Sequence, residues 1–135
     1  MKKLFSWKYS DNSISFALLV SRLTLGGLMI PHGYDKLMHF ATYSAKFVDP
    51  FHIGMTASLA LCIFAEFFCA VFLVLGLMTR LACIPLIINM CVVVFYVQHG
   101  KVFGDAEHAT LYLAGYIALL FSGPGKFSMD KLIGK

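Results

Sequence analysis

Two opposite charges in the middle of long apolar stretches constrain this chain more than any other feature. Arg22 lies within the apolar residues 14–30, and Glu66 lies within residues 55–78. An ionised side chain at the centre of a bilayer costs about 2.5–3.5 kcal/mol on insertion scales, and such residues usually face a bundle interior or a water-filled cavity. We therefore expect both charges to be enclosed by the protein and to pair with each other.

The composition agrees with a membrane location. Of the 135 residues, 59% are hydrophobic and only 13% are charged. A soluble domain of this length has to cover its surface with more polar groups. The chain is therefore expected to form a single integral membrane domain over residues 1–135. The net charge of +4 is too small and too scattered for a nucleic-acid-binding protein.

Four apolar segments predict an all-α fold, an integral membrane four-helix bundle. Each segment would span about 24–36 Å as a helix. They cover residues 14–30, 55–78, 81–97 and 106–121. The first segment lacks a small-residue cleavage site, so it is expected to be retained as a span. The sequence Pro31-His32-Gly33 is expected to end the first helix, and Thr79-Arg80 alone should join the second and third spans.

The connector over residues 37–54 predicts a short interfacial helix between the first and second spans. Phe40, Tyr43 and Phe47 recur at helical spacing and would place their rings at the headgroup level. This helix should end at Asp49-Pro50.

The distribution of basic residues predicts the orientation. Four spans put both termini on one side of the membrane. That side carries Lys2, Lys3, Lys8, Arg80, Lys126, Lys131 and Lys135, and the other carries Lys36, Lys46 and Lys101. Since cytoplasmic loops are enriched in Lys and Arg, both termini are expected in the cytoplasm.

Helical depth brings several polar side chains to one layer. At about 1.5 Å per residue, Arg22 lies about 12 Å deep, Glu66 about 18 Å, Asn89 about 12 Å, and Tyr112 and Tyr116 about 9–15 Å. An extended arginine side chain could bridge the difference. Such a layer is either a structural clamp that fixes helix register or a pocket that orients the polar head group of an apolar ligand or passes a proton.

The histidines all fall on the side opposite the termini. They are His32, His39, His52, His99 and His108. They could be ordinary surface residues, exchange protons near neutral pH, or bind metal. Because neither H-x-x-x-H nor H-E-x-x-H occurs, no metal site is predicted. His32, His108 and Lys36 are the candidates for proton exchange at this mouth of the bundle.

Several ordered motifs resemble the DoxX family of small four-helix bacterial membrane proteins. The matching pieces are Arg22-Leu23, Gly26-Gly27, His32-Gly33-x-x-Lys36-Leu37, Glu66, the stretch from Leu75 to Ala82 and the stretch from Gly123 to Asp130. The resemblance implies the bacterial inner (plasma) membrane and a link to oxidoreductase chemistry. Related proteins look like the small membrane subunit of a thiosulfate:quinone oxidoreductase, or like a membrane partner in thiol and oxidative-stress defence.

Two functions follow as hypotheses. The first is a subunit of a quinone-linked redox complex with a redox partner protein, in which Arg22 and Glu66 orient a quinone-like ligand within the bundle. Its wider set of candidate ligand- and proton-handling residues is Arg22, His32, Lys36, Glu66, Asn89, His108, Tyr112 and Tyr116. The alternative is a non-enzymatic membrane scaffold, assembly partner or binder of lipophilic small molecules. The four cysteines are isolated in apolar segments without a C-x-x-C pair, so thiol chemistry by this chain alone is not expected.

Overall fold

The computed structural model describes residues 6, 8, 10–45, 49, 52–97, 100, 104 and 107–133. Some residues used in the predictions lie outside these ranges: Lys2, Lys3, Lys46, Phe47, Pro50, His99, Lys101, Ala106 and Lys135.

Helix α1 runs from Asp11 to Met38 and is longer than its apolar segment. Ser10 caps its start, because the Ser10 hydroxyl accepts the Ser13 N–H at 3.1 Å. The expected end at Pro31 is wrong, since the helix continues through Pro31 and Gly33. Membrane helices tolerate proline when neighbouring groups compensate for the lost backbone bond. The continuation carries Lys36 into the bundle.

Close packing against the next long helix accounts for Gly33. A Cβ built on Gly33 would lie 2.7 Å from the carbonyl carbon of Glu66 and 2.7 Å from the backbone nitrogen of Phe67. No side chain fits there. The glycine that was expected to permit a turn therefore serves helix–helix contact instead.

A short helix, α2, follows at Phe40–Ser44 and confirms a helical piece between the first two spans. The connector then reaches Asp49, whose carboxylate accepts the N–H groups of Ile53 and Gly54, both at 2.9 Å. It also accepts the Ser58 hydroxyl at 3.0 Å. Asp49 thus fastens the connector to the beginning of the next helix. Placement of α2 in the headgroup layer remains a prediction.

Helices α3 (Met55–Leu75) and α4 (Thr79–Val97) form the expected antiparallel hairpin. The turn itself differs from the prediction, because Thr79 and Arg80 already belong to α4. The chain reverses at Gly76 and Met78, which both have positive φ, 73° and 48°. Glycine adopts this left-handed conformation without the Cβ penalty, so Gly76 is suited to end α3.

One stretch of wider π-helical turns interrupts α3, and another forms the end of α4. They cover Phe64–Cys69 in α3 and Val92–Val97 in α4. A π turn shifts the direction of every side chain that follows it and often occurs at functional sites. Glu66 lies in the first of these stretches, so its direction could not be read from an unbroken 3.6-residue period.

Helix α5 covers Glu107–Ser122 and is followed by Gly123, which has positive φ; a last short helix, α6, covers Met129–Ile133. The segment between them folds back over the end of the bundle. Lys126 donates its backbone N–H to the Ser15 hydroxyl of α1 at 3.1 Å. Asp130 accepts the N–H groups of Met78 and Thr79 at 2.7 and 3.0 Å, and so caps the start of α4.

Helices α1, α3, α4 and α5 pack as an all-α four-helix bundle. The shared core contains Leu59, Leu73, Leu86, Val94 and Leu119. Helices α1, α3 and α4 are long and apolar enough to cross a membrane. Helix α5 has 16 residues, which span about 24 Å. Many large apolar side chains point outward on the bundle, as expected for a surface that contacts lipid.

Candidate functional site

The expected pairing of Arg22 with Glu66 is wrong. Arg22 is completely buried, but its guanidinium donates to backbone carbonyls. One terminal nitrogen reaches the oxygens of Val74 at 3.0 Å and Leu73 at 3.4 Å, and the other contacts the oxygen of Phe127. Arg22 therefore joins α1 to the end of α3 and to the segment after α5.

The chemistry of helix ends explains this choice of partner. The last carbonyls of a helix have no intrahelical donor, and they form the negative end of the helix dipole. Leu73 and Val74 are in the last turn of α3, seven and eight residues past Glu66, which corresponds to about 10–12 Å along the axis. The arginine thus reaches toward the end of the bundle that carries the turn. Its position fits the clamp hypothesis.

Glu66 instead forms the centre of a separate polar cluster, hereafter the Glu66 centre. Its Oε1 atom accepts the Lys36 ammonium at 2.5 Å, and its Oε2 atom accepts the Asn89 amide at 2.9 Å. The Cys62 thiol lies 3.3 Å from the same Oε2 atom. These residues come from α1, α3 and α4, so one carboxylate connects three of the four long helices.

The Glu66 centre is buried, but one of its side chains is partly exposed. The side chain of Glu66 is 4% exposed, whereas that of Lys36 is 20% exposed. A carboxylate in a low-dielectric interior requires a compensating charge and hydrogen bonds, and Lys36 and Asn89 supply them. Because Lys36 reaches the surface, a ligand or a proton has a route to the pair.

A second group of polar side chains lies just outside Lys36. The Asp35 carboxylate accepts the Tyr43 hydroxyl at 2.5 Å and lies 3.3 Å from the His39 Nδ1 atom. This hydrogen bond to Asp35 raises the pKa of Tyr43. Asp35 and His39 are four residues apart in α1, a spacing that could have revealed the contact from sequence. Asp35, His39 and Tyr43 thus form a separate polar group at the exposed end of α1, and Asp35 is next to Lys36 in sequence.

The other predicted site residues lie elsewhere. Tyr116 is buried and donates its hydroxyl to the Leu25 carbonyl at 3.0 Å, and its ring stacks on Tyr112 at a centroid distance of 6.0 Å. His32 and His108 are exposed and have no hydrogen bond or ion pair with another described residue. Of the eight candidates, Lys36, Glu66 and Asn89 come together, and Cys62 joins them.

An aromatic row lies on the outside of the bundle beside the Glu66 centre. Tyr34 of α1 is 6.4 Å from Phe67, which meets Phe68 edge to face at 5.2 Å. Phe68 is in turn 6.4 Å from Phe64. Tyr34, Phe64 and Phe68 are each about half exposed. The π-helical stretch that contains Glu66 therefore also presents rings to the surroundings.

This arrangement defines a small helical membrane protein with two buried charges. Arg22 is bound by backbone carbonyls, and Glu66 is bound by side chains. A model of the DoxX family matches residues 17–99, which is more than half of the chain, and the chain belongs to the DoxX family. It is also similar to the uncharacterized membrane protein Rv3486 of Mycobacterium tuberculosis, with 34% identity over 84 residues of alignment. That match covers 52% of this chain and 52% of the relative, so it spans about half the length of each. No solved structure gives a significant match.

Proposed function

We propose that this protein is the membrane subunit of a quinone-linked redox complex, and that the Glu66 centre binds the polar head group of the quinone. The observation that supports the proposal is an enclosed carboxylate whose cationic partner, Lys36, is still partly exposed. Ionisable residues at membrane depth usually mark ligand or proton pathways. This assignment gives Lys36 the role that the sequence suggested for Arg22.

The chemistry of quinone reduction suits these side chains. A quinone takes up two electrons and two protons to become a quinol. The electrons would come from a donor on a partner protein, of the thiol or thiosulfate class to which the family resemblance points. The Lys36 ammonium and the Asn89 amide can donate hydrogen bonds to a quinone oxygen, and Lys36 can pass a proton to it. Asp35 and Tyr43 would resupply that proton from the aqueous edge.

The aromatic row supports entry of the ligand from the bilayer. In sequence, Phe67 directly follows Glu66, and Tyr34 is two residues before Lys36. The rings of Phe67 and Tyr34 are suited to stacking against a flat quinoid ring. We place the ligand at the edge of the bundle between α1 and α3. The distribution of basic residues favours termini in the cytoplasm of a bacterial cell, and with that orientation this centre would lie in the outer half of the inner membrane.

Ligand occupancy tests the proposal. Full-length protein is purified in a mild detergent, and its extracted lipids are analysed for quinones by mass spectrometry. We expect a quinone at up to one per chain, and at least a tenfold loss in Lys36→Met and Glu66→Gln, since each removes a hydrogen-bonded charge. Lys126→Gln is the matched control, because Lys126 is exposed at the opposite end of the bundle. Equal quinone content in all four proteins, or none in the wild type with ubiquinone or menaquinone supplied, would refute the proposal.

A non-enzymatic scaffold is the second candidate, and one observation favours it. The contacts of Glu66 link three helices, as a purely structural clamp would. Under this hypothesis Lys36→Met lowers stability without changing the lipid content of the purified protein. Quinone content and thermal unfolding measured on the same samples therefore separate the two functions: a loss of stability with unchanged quinone content supports the scaffold, and a loss of quinone supports the redox subunit.

A further inference from the structure

A surface cleft at the end of the bundle opposite the Glu66 centre is not used by the proposed function. It lies between the turn that precedes α4 and the segment that follows α5, and it has a volume of about 460 Å3. Its lining combines two basic residues, Arg80 and Lys131, with the apolar residues Met78 and Leu81. A cleft with a cationic part and an apolar part matches the composition of a phospholipid.

The basic side chains are not neutralised within the described part of the protein. Asp130 also lines the cleft, but its two carboxylate oxygens accept the backbone N–H groups of Met78 and Thr79. It forms no ion pair with Arg80 or Lys131 in the described residues. Arg80 makes one long contact, 3.4 Å, to the carbonyl of Phe121. Both cations therefore keep donors for an anion.

Thr79 supplies the observation that points to a ligand. Thr79 is one of the residues that border the cleft, it is fully buried, and its hydroxyl has no hydrogen-bond partner among the described residues. Leaving a buried hydroxyl unpaired costs about 1–3 kcal/mol, and native proteins rarely do so without a reason. Thr79 is the first residue of α4, and its backbone N–H already binds the Asp130 carboxylate, so its hydroxyl is the donor left for an added negative group.

We propose that this cleft binds the phosphate group of an anionic phospholipid. Arg80 and Lys131 hold the phosphate, and the Thr79 hydroxyl donates to one of its oxygens. Met78 and Leu81, which are largely exposed, contact the upper part of an acyl chain. The site is independent of the Glu66 centre, so it holds whether or not a quinone binds there.

Lipid titration of the full chain tests this site. Detergent-purified protein is titrated with phosphatidylglycerol, with phosphatidylcholine and with inorganic phosphate, and bound molecules are counted by native mass spectrometry. We expect one saturable phosphatidylglycerol per chain, with weaker phosphatidylcholine binding. Each basic residue near an anionic headgroup contributes about a fivefold effect, so Arg80→Gln with Lys131→Gln should weaken binding about 25-fold. Lys126→Gln, on the same end but bonded to Asn12, should leave it within about twofold.

Thr79→Val separates ligand binding from folding. Because the hydroxyl has no partner among the residues that the structure describes, the substitution should leave the thermal midpoint unchanged or higher while it weakens phosphatidylglycerol binding about five- to tenfold. If millimolar inorganic phosphate displaces the lipid, the cleft is a phosphate-binding site as proposed. The molecule that occupies it would then be the soluble phosphate ion instead of a phospholipid. Equal binding of both lipids, or equal loss in Lys126→Gln and in the cleft variants, would overturn the proposal.

Discussion

Arg22 and Glu66 are both buried charges in long apolar helices, but their surroundings differ. Arg22 is bound by carbonyls of the chain itself, at the end of the bundle where α3 turns and the last segment folds back. Glu66 is bound by the side chains of Lys36, Asn89 and Cys62. Backbone carbonyls cannot change their protonation state or swing away, whereas side chains can. The first charge is therefore suited to holding the structure together, and the second to exchanging a proton or a ligand.

The largest expected effect is the loss of the Arg22 clamp. Arg22→Met keeps most of the volume but leaves the Val74 and Phe127 carbonyls without their donor. We expect a loss of about 2–5 kcal/mol in the free energy of unfolding, because each buried acceptor left without a donor costs about 1–3 kcal/mol. Chemical or thermal unfolding in detergent measures it. Arg80→Gln, an exposed arginine at the same end, should change stability by about 0.5 kcal/mol or less. If both variants unfold alike, Arg22 is not a clamp.

A double-mutant cycle sharpens the contrast between the two charges. Lys36→Met and Glu66→Gln should couple by about 1–3 kcal/mol in unfolding free energy, because the two side chains touch. Arg22→Met and Glu66→Gln should be additive within about 0.5 kcal/mol, since about 10 Å separates their contacts. Strong coupling between Arg22 and Glu66 would instead restore the pairing expected from sequence and contradict the structure.

The close approach of α1 to α3 should matter less than either charge. Gly33→Ala would press a methyl group onto the Glu66 backbone, so we expect a loss of about 1–3 kcal/mol from overpacking. Gly27→Ala is the matched control in the same helix, because a Cβ there meets no atom within 4 Å. It should be neutral or should stabilise the helix by up to about 1 kcal/mol. Equal destabilisation by both alanines would show that helix propensity, rather than the contact at Glu66, sets the effect.

Hydropathy was sufficient to predict the helical class and the hairpin of α3 and α4, because apolar stretches of this length have few other folded forms. The helix end predicted from Pro31-His32-Gly33 was wrong, because packing of Gly33 on α3 overrides the local tendency of proline to end a helix. That error hid the contact of Lys36 with Glu66, since Lys36 lies beyond the expected helix end. Depth counting then placed Arg22 and Glu66 in one layer, since it uses only helical rise.

Two further features lay outside the reach of a periodic sequence analysis. The π-helical turns in α3 rotate the side chains that follow them, α4 ends in similar turns, and hydrophobic spacing alone does not reveal either stretch. The backbone acceptors of Arg22 come from segments more than 50 residues away in the chain. A carbonyl acceptor has no residue-type signature, so sequence favours a carboxylate partner even where a helix end serves better.

The smallest expected effect concerns Asp49, which anchors the start of the helix that carries Glu66. Partial desolvation alone would raise its pKa, but hydrogen bonds from Gly54, Ile53 and Ser58 outweigh it, and the pKa of Asp49 falls below its ordinary value. A carboxylate with a lowered folded-state pKa contributes stability at pH above its unfolded pKa, about 3.9. That contribution is lost as the pH falls through the folded value.

Asp49→Asn should therefore lower the thermal midpoint slightly at pH 7 and flatten its decline below about pH 4. Asp11→Asn is the control, because Asp11 is a largely exposed carboxylate at the opposite end of the bundle. Hydrogen exchange should show faster exchange at the first turn of α3 in Asp49→Asn, with the backbone near Arg22 unchanged. Uniformly faster exchange at both ends would mean that the bundle opens as a single unit. The regions around Arg22 and Glu66 would then have the same free energy of opening.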